Sequence, residues 1–195
     1  MPAVLLLFST GTAPLLLTFV TVYAVCQLAV VRYGRTGETA RREGIARREW
    51  RRILLRFVLL GGLLTASVAV LAPAELFNFP KRAPFVWLLV ILLYPFLSAY
   101  PQEVIYRAFM FRRYAPLIAT NGRMLLATAL AFGWLHVLLE SWVAVTLTVV
   151  GGWLFGDTYR RTRSLAAVSV EHALYGALVF TIGLGREFYL GAVRG

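Results

Sequence analysis

Residues 84–111 read PFVWLLVILLYPFLSAYPQEVIYRAFMF. A helix rises about 1.5 Å per residue and needs about 20 apolar residues to cross a bilayer, so this stretch is long enough to span one. It also holds two prolines, Pro95 and Pro101, and an acid and base four residues apart, Glu103 and Arg107. Each proline removes a backbone hydrogen bond and clashes with the preceding turn, which predicts a kink just before Gln102. Exposed backbone at that depth is tolerated where protein or a wet cavity satisfies it. Ionisable side chains inside hydrocarbon are costly and are kept for a task, which makes Glu103 and Arg107 candidate functional residues.

Working outward, five further apolar stretches lie at about 4–31, 53–72, 124–140, 142–157 and 165–184, the fifth span of the six being short. The expected fold is all-α, a polytopic transmembrane helical bundle of about six spans, with residues 1–195 as one membrane domain. Composition agrees: 59% of the 195 residues are hydrophobic and 15% charged, with a mean hydropathy of +0.72. That is more apolar than a soluble core of this size requires. The net charge of +11 raises the question of nucleic acid, but the arginines sit in short segments beside apolar runs. Arg32 to Arg56, Arg112 to Arg123 and Arg160 to Arg163 alternate with arginine-poor connections around 73–83 and 140–141. This positive-inside pattern predicts a cytoplasmic face, both termini on the other side, and attraction to anionic lipid rather than to nucleic acid. The segment from Arg32 to Arg52 reads as a solvated, lipid-facing linker with acid and base pairs three or four residues apart. Val4 to Val31 lacks a basic leader and is too long for a secretory signal core, so it reads as a retained span. Cys26 is the single cysteine and leaves no intrachain disulfide or cysteine metal cluster to form.

Two histidines join the acid–base pair. Counted from Arg112, Arg123 and Arg163 at about 1.5 Å per residue, Glu103, His136 and His172 lie roughly 13, 20 and 13 Å below one membrane face. They can therefore converge in the cytoplasmic half of the bilayer, with Arg107 on the helix face of Glu103 to pair with or orient its carboxylate. Singly, each residue is explained by a structural ion pair or a carbonyl bond. Together, they require several desolvation costs at matched depth, which favours a site. Glu140 reads as an interfacial turn residue, and Phe132 and Trp134 as packing groups. Glu171 points about 100° away from His172 around its helix, so it bonds a neighbouring helix or joins the site.

The order Gln102-Glu103 with Arg107, then Phe132-x-x-x-His136, then His172-x-x-x-Gly176 resembles the CPBP family of intramembrane proteases, also called the Abi or CAAX-protease family. The resemblance covers about 102–185, within a motif core of about 84–185. It implies an endopeptidase that cleaves near the ends of membrane-associated substrates, with a carboxylate and histidine activating water. The family pattern is Glu-Glu-x-x-x-Arg, Phe-x-x-x-His and His-x-x-x-Asn. Its first Glu falls on Gln102, its second on Glu103, its Arg on Arg107, its histidines on His136 and His172, and its Asn on Gly176. Gln102 cannot act as a general base and Gly176 has no side chain to hold an oxyanion, a loss worth about 10² to 10³ in rate unless another group compensates. Tyr175 or the backbone is the expected compensation.

The expected mechanism has Glu103 and His136 deprotonate water, His172 polarise the carbonyl and Arg107 hold Glu103, in a polar cavity enclosed by the third, fourth and sixth spans. No cofactor is expected. Zinc remains the alternative, since Glu103, His136 and His172 suit it, although no His-Glu-x-x-His motif is present. A non-enzymatic immunity or scaffold factor is favoured by Gln102 and Gly176, and a transporter lacks inverted halves or a polar path. The expected partners are membrane lipid and a peptide or protein substrate at the membrane, and the expected location is the cell membrane, with the site towards the cytoplasmic half.

Overall fold

In a computed structural model, residues 24, 25, 28, 45–118 and 120–188 are described. Apart from residues 24, 25 and 28, the expected first span lies outside these residues, as does most of the arginine-rich linker. The described chain is all-helical. Helix α1 is Arg47–Leu71, α2 the short Asn78–Arg82, α3 Pro84–Arg113, α4 Asn121–Leu135, α5 Trp142–Thr162 and α6 Leu165–Thr181. Among the described residues, three stretches are long and apolar enough to cross a membrane: α1, α3, and α4 with its 3-10 extension to Leu139. The shorter α6 is also apolar.

Local signals set the helix starts. Thr120, Ser141 and Ser164 each accept a hydrogen bond from the backbone N–H three residues on, at 3.4, 3.2 and 3.2 Å. These caps satisfy an N–H that the first helical turn leaves unpaired. Helix α1 begins at Arg47, six residues before the expected 53, so the end of the expected linker is helical. Glu49 and Arg52 are paired there at 3.8 Å, three residues apart. The fifth span, expected to be short, is helical for 21 residues because Asp157, Arg160 and Arg161 continue it beyond its apolar part. Helix α2 occupies a connection that carried no helical expectation.

Pro95 and Pro101 do not break α3. Its turns instead widen into two π segments, Pro95–Ala99 and Val104–Phe109, on either side of the four residues ending at Glu103. A π turn takes in one extra residue and rotates the faces that follow it, and such turns gather at functional sites.

The core cluster draws Phe111 from α3, Met124, Leu125 and Phe132 from α4, Phe155 and Tyr159 from α5, and Val168 from α6. Helices α4 and α5 approach closely because small residues face each other: a Cβ on Gly152 would lie 2.9 Å from the Ala129 Cα. Close backbone approach through small residues is the usual packing of helices in lipid. Around this core, leucines and valines of α1 and α3 face outward, and Trp134 and Trp142 are the most exposed of the tryptophans, at 77% and 81%.

Candidate active site

The segment between the two π turns places Glu103 at the centre of the bundle. Glu103 and Arg107 are both fully buried, and their ion pair, Glu103 Oε2 to Arg107 Nε at 3.1 Å, spans the expected four residues. Arg107 is anchored further. Its Nη2 donates to the carbonyl of Gly152 at 3.1 Å, on the helix that its own lack of a side chain brings near, and its Nη1 donates to the Tyr106 carbonyl at 3.3 Å. The guanidinium also lies 5.7 Å from the Phe132 ring centroid, where a cation is favourably placed.

Glu103 Oε1 lies 2.8 Å from His172 Nδ1, and His172 Nε2 lies 2.9 Å from the Tyr94 hydroxyl. A carboxylate ionised beside arginine only accepts, so Nδ1–H donates to Glu103 and the Tyr94 O–H donates to Nε2. The result is one chain, Arg107, Glu103, His172, Tyr94, linking α3 to α6 and back. Phe155 stacks on the His172 ring at 4.6 Å and 19°, fixing its plane.

His136 sits at the first position of the 3-10 turn after α4. Its Nδ1 lies 2.8 Å from the Phe132 carbonyl, which can only accept, so Nδ1 carries the proton and Nε2 keeps a lone pair. The two imidazoles flank the Phe132 ring, with centroids 4.8 Å away for His136 and 5.5 Å for His172.

Both histidines line a cavity of about 860 Å³. Its wall is broader than the three spans expected, because α1 supplies Leu60, Leu63 and Leu64, and α5 supplies Thr148 and Leu154. It is also mostly apolar rather than polar, with a few polar groups converging at one place, the usual composition of a ligand pocket. Glu103 does not line it: the carboxylate lies behind His172 and reaches the cavity only through that imidazole.

The other expected residues divide. Gln102 lines the cavity and donates through Nε2 to Ser98 Oγ at 3.0 Å, while its Oε1 has no hydrogen-bond partner. Tyr175 lines it too, packed edge-on against Phe57 at 5.3 Å, with its hydroxyl unpaired. Glu171 is turned away. It pairs with Arg56 Nη2 of α1 at 3.1 Å, in a cluster with Asp157, Thr158 and Arg161. Arg161 in turn pairs with Asp157 and, at 2.9 Å, with Glu49. A zinc ion held by Glu103, His136 and His172 would have to displace Tyr94 from Nε2 or Glu103 from Nδ1. Among the described residues no three His, Cys, Asp or Glu side chains are gathered as a metal site.

The residue missed by sequence reasoning is Tyr94. A signal was present: Tyr94, Ser98 and Gln102 recur every four residues through an otherwise apolar run, and all three line the cavity.

Residues 84–178 match the family model described as Type II CAAX prenyl endopeptidase Rce1-like. Tyr94, Gln102, Glu103, Arg107, His136, His172 and Gly176 all fall inside that range. No curated protein and no solved structure matches the chain.

Proposed function

We propose, from the premise that residues 84–178 are an Rce1-like domain of the CPBP family, a family that contains peptidases, that this chain is an intramembrane endopeptidase. It hydrolyses a peptide bond of a membrane-associated protein. The observation that carries the reading is the buried Arg107, Glu103, His172 chain ending at a cavity that His136 also lines.

The roles follow from the tautomers. Glu103 acts through His172: by accepting from Nδ1–H it orients the ring and stabilises the imidazolium that forms when Nε2 takes a proton, the work that a buried carboxylate does for an imidazole base. Arg107 holds the second carboxylate oxygen and keeps Glu103 in that direction. His136, whose Nε2 can accept, positions the water through its second O–H. The water oxygen bonds to the peptide carbonyl carbon as its proton passes to His172 Nε2. That proton then moves to the leaving nitrogen as the C–N bond breaks, giving an acid and an amine. The apolar wall excludes bulk water and receives the apolar part of the substrate. No step uses a metal.

The protein is multi-pass, about six spans in one membrane domain, with the arginine-rich helix ends towards the cytoplasm and in contact with anionic lipid. Arg123 and Glu140 mark opposite ends of the α4 unit and are both exposed. In a Cys26→Ser background, Arg123→Cys is modified from outside intact cells only after permeabilisation, and Glu140→Cys without it. The reverse pattern overturns the orientation.

The peptidase reading is tested in detergent micelles with quenched fluorogenic peptides, one set ending in a prenylated CAAX sequence and one unlipidated. Cleavage by the wild type, lost in Glu103→Gln at equal folded protein, supports it. Wild-type cleavage no greater than that of Glu103→Gln sinks it. An immunity or scaffold role, favoured by the amide at Gln102, then becomes the better account.

A further inference from the structure

His172 and Gly176 lie four residues apart on one face of α6, and the Tyr94 ring is wedged between them. A Cβ on Gly176 would overlap Cε1 and Cζ of that ring and lie 2.7 Å from its hydroxyl. A glycine inside a helix costs about 0.5 to 1 kcal/mol relative to alanine, so its presence here needs a reason. The close approach of Tyr94 supplies it. The ring meets His172 edge-on at 5.9 Å and is held from one further side by Phe180, also edge-on, at 5.5 Å. The hydroxyl thus sits beside the base of the site, at the cavity wall, on a ring with little room to move.

We propose that Tyr94 is a catalytic residue, the hydrogen-bond donor to the oxygen of the peptide carbonyl under attack, and that Gly176 is the residue that admits it. This rests on the peptidase reading. Without substrate, the Tyr94 O–H closes on His172 Nε2. When a peptide binds, the phenol O–H rotates about its C–O bond to the carbonyl oxygen, which frees the Nε2 lone pair for the attacking water beside the phenol oxygen. The bond to Tyr94 strengthens as the water oxygen adds and negative charge develops there. The phenol keeps its proton throughout. The water proton goes to Nε2 and then to the leaving nitrogen, so no further acid is required. A donor placed where charge develops acts on turnover rather than on binding, since it is stronger in the transition state than in the ground state.

The experiment compares wild type, Tyr94→Phe, Tyr94→Ala and Tyr94→Ala/Gly176→Asn with the same fluorogenic peptides in detergent, each normalised to folded protein. Tyr94→Phe keeps the ring that packs on Gly176 and removes only the donor. Its kcat is expected to fall about 10² to 10³-fold, the effect of losing one such donor, with KM changed less than about threefold. In the double variant an asparagine amide enters the volume that the ring vacates, and kcat is expected to recover at least about tenfold over Tyr94→Ala, a gain of about 1.4 kcal/mol in transition-state binding. A merely structural tyrosine predicts neither the split between kcat and KM nor the rescue. Tyr94→Phe with a kcat within twofold of an active wild type overturns this proposal and leaves the peptidase reading standing. A wild type that cleaves no better than Glu103→Gln overturns both.

Discussion

Glu103 and Glu171 are both fully buried, and each is paired with an arginine at 3.1 Å. Glu103 takes its arginine from its own helix, and its other oxygen holds an imidazole that opens on the cavity. Glu171 takes Arg56 from another helix, within a cluster that ties the ends of α1, α5 and α6 together. The two carboxylates therefore share burial and counter-charge and differ in what lies beyond the pair. Burial of an acid identifies a place where a cost has been met, and the neighbour beyond the ion pair decides whether the acid serves chemistry or architecture. The contrast runs through a single dipeptide, since Glu171 and His172 are adjacent and face opposite clusters.

The largest effect expected is on Glu103. Glu103→Gln keeps the shape but loses the charge that holds the His172 tautomer, and turnover is expected to fall roughly 10³ to 10⁴-fold, read as kcat on folded protein. Next come the variants of the other pair, which should move stability rather than chemistry. Arg56→Ala removes the ion-pair partner of a buried carboxylate and is expected to cost about 3 to 5 kcal/mol, measured by unfolding in mixed micelles, with kcat of the folded fraction kept within about threefold. Glu171→Gln, which leaves a partly exposed arginine instead, should cost about 1 to 3 kcal/mol in the same measurement. Should Glu171→Gln abolish turnover without destabilising the protein, the division between the two acids is wrong.

A smaller change is expected at Gln102, whose amide faces the cavity but stands outside the Arg107 to Tyr94 chain. Gln102→Ala should lose under about tenfold in kcat/KM, most of it in KM, because a group contributing equally to ground and transition states changes KM alone. The smallest effect expected is that of chelation. In the proposed mechanism water is activated by His172 and Glu103 with no metal to lower its pKa, so thorough chelation in detergent should leave turnover unchanged within error. Loss of activity that zinc restores would move the Glu103 cluster from the dyad to a ligand set.

Much of this molecule is written locally. Three helices start after Thr120, Ser141 and Ser164 because a side-chain oxygen there caps the first turn, and the described apolar stretches are helical because lipid offers no partner to an open backbone. The Glu103 and Arg107 pair needed only a helical spacing of four. Those features depend on residues near one another in sequence, and the sequence alone determined them. The tertiary structure decided the rest. Tyr94 and His172 are 78 residues apart, and Arg56 and Thr158 are 102 apart. Their meeting depends on how the helices pack and rotate. Two π turns in α3 each take in an extra residue, so face assignments counted at 3.6 residues per turn no longer hold beyond them. Gly176 read as a missing side chain until packing placed a phenol in its space. Which of Glu171 and His172 would face the cavity was likewise settled by the helix rotation that packing imposed, because side chains about 100° apart on one helix meet different neighbours.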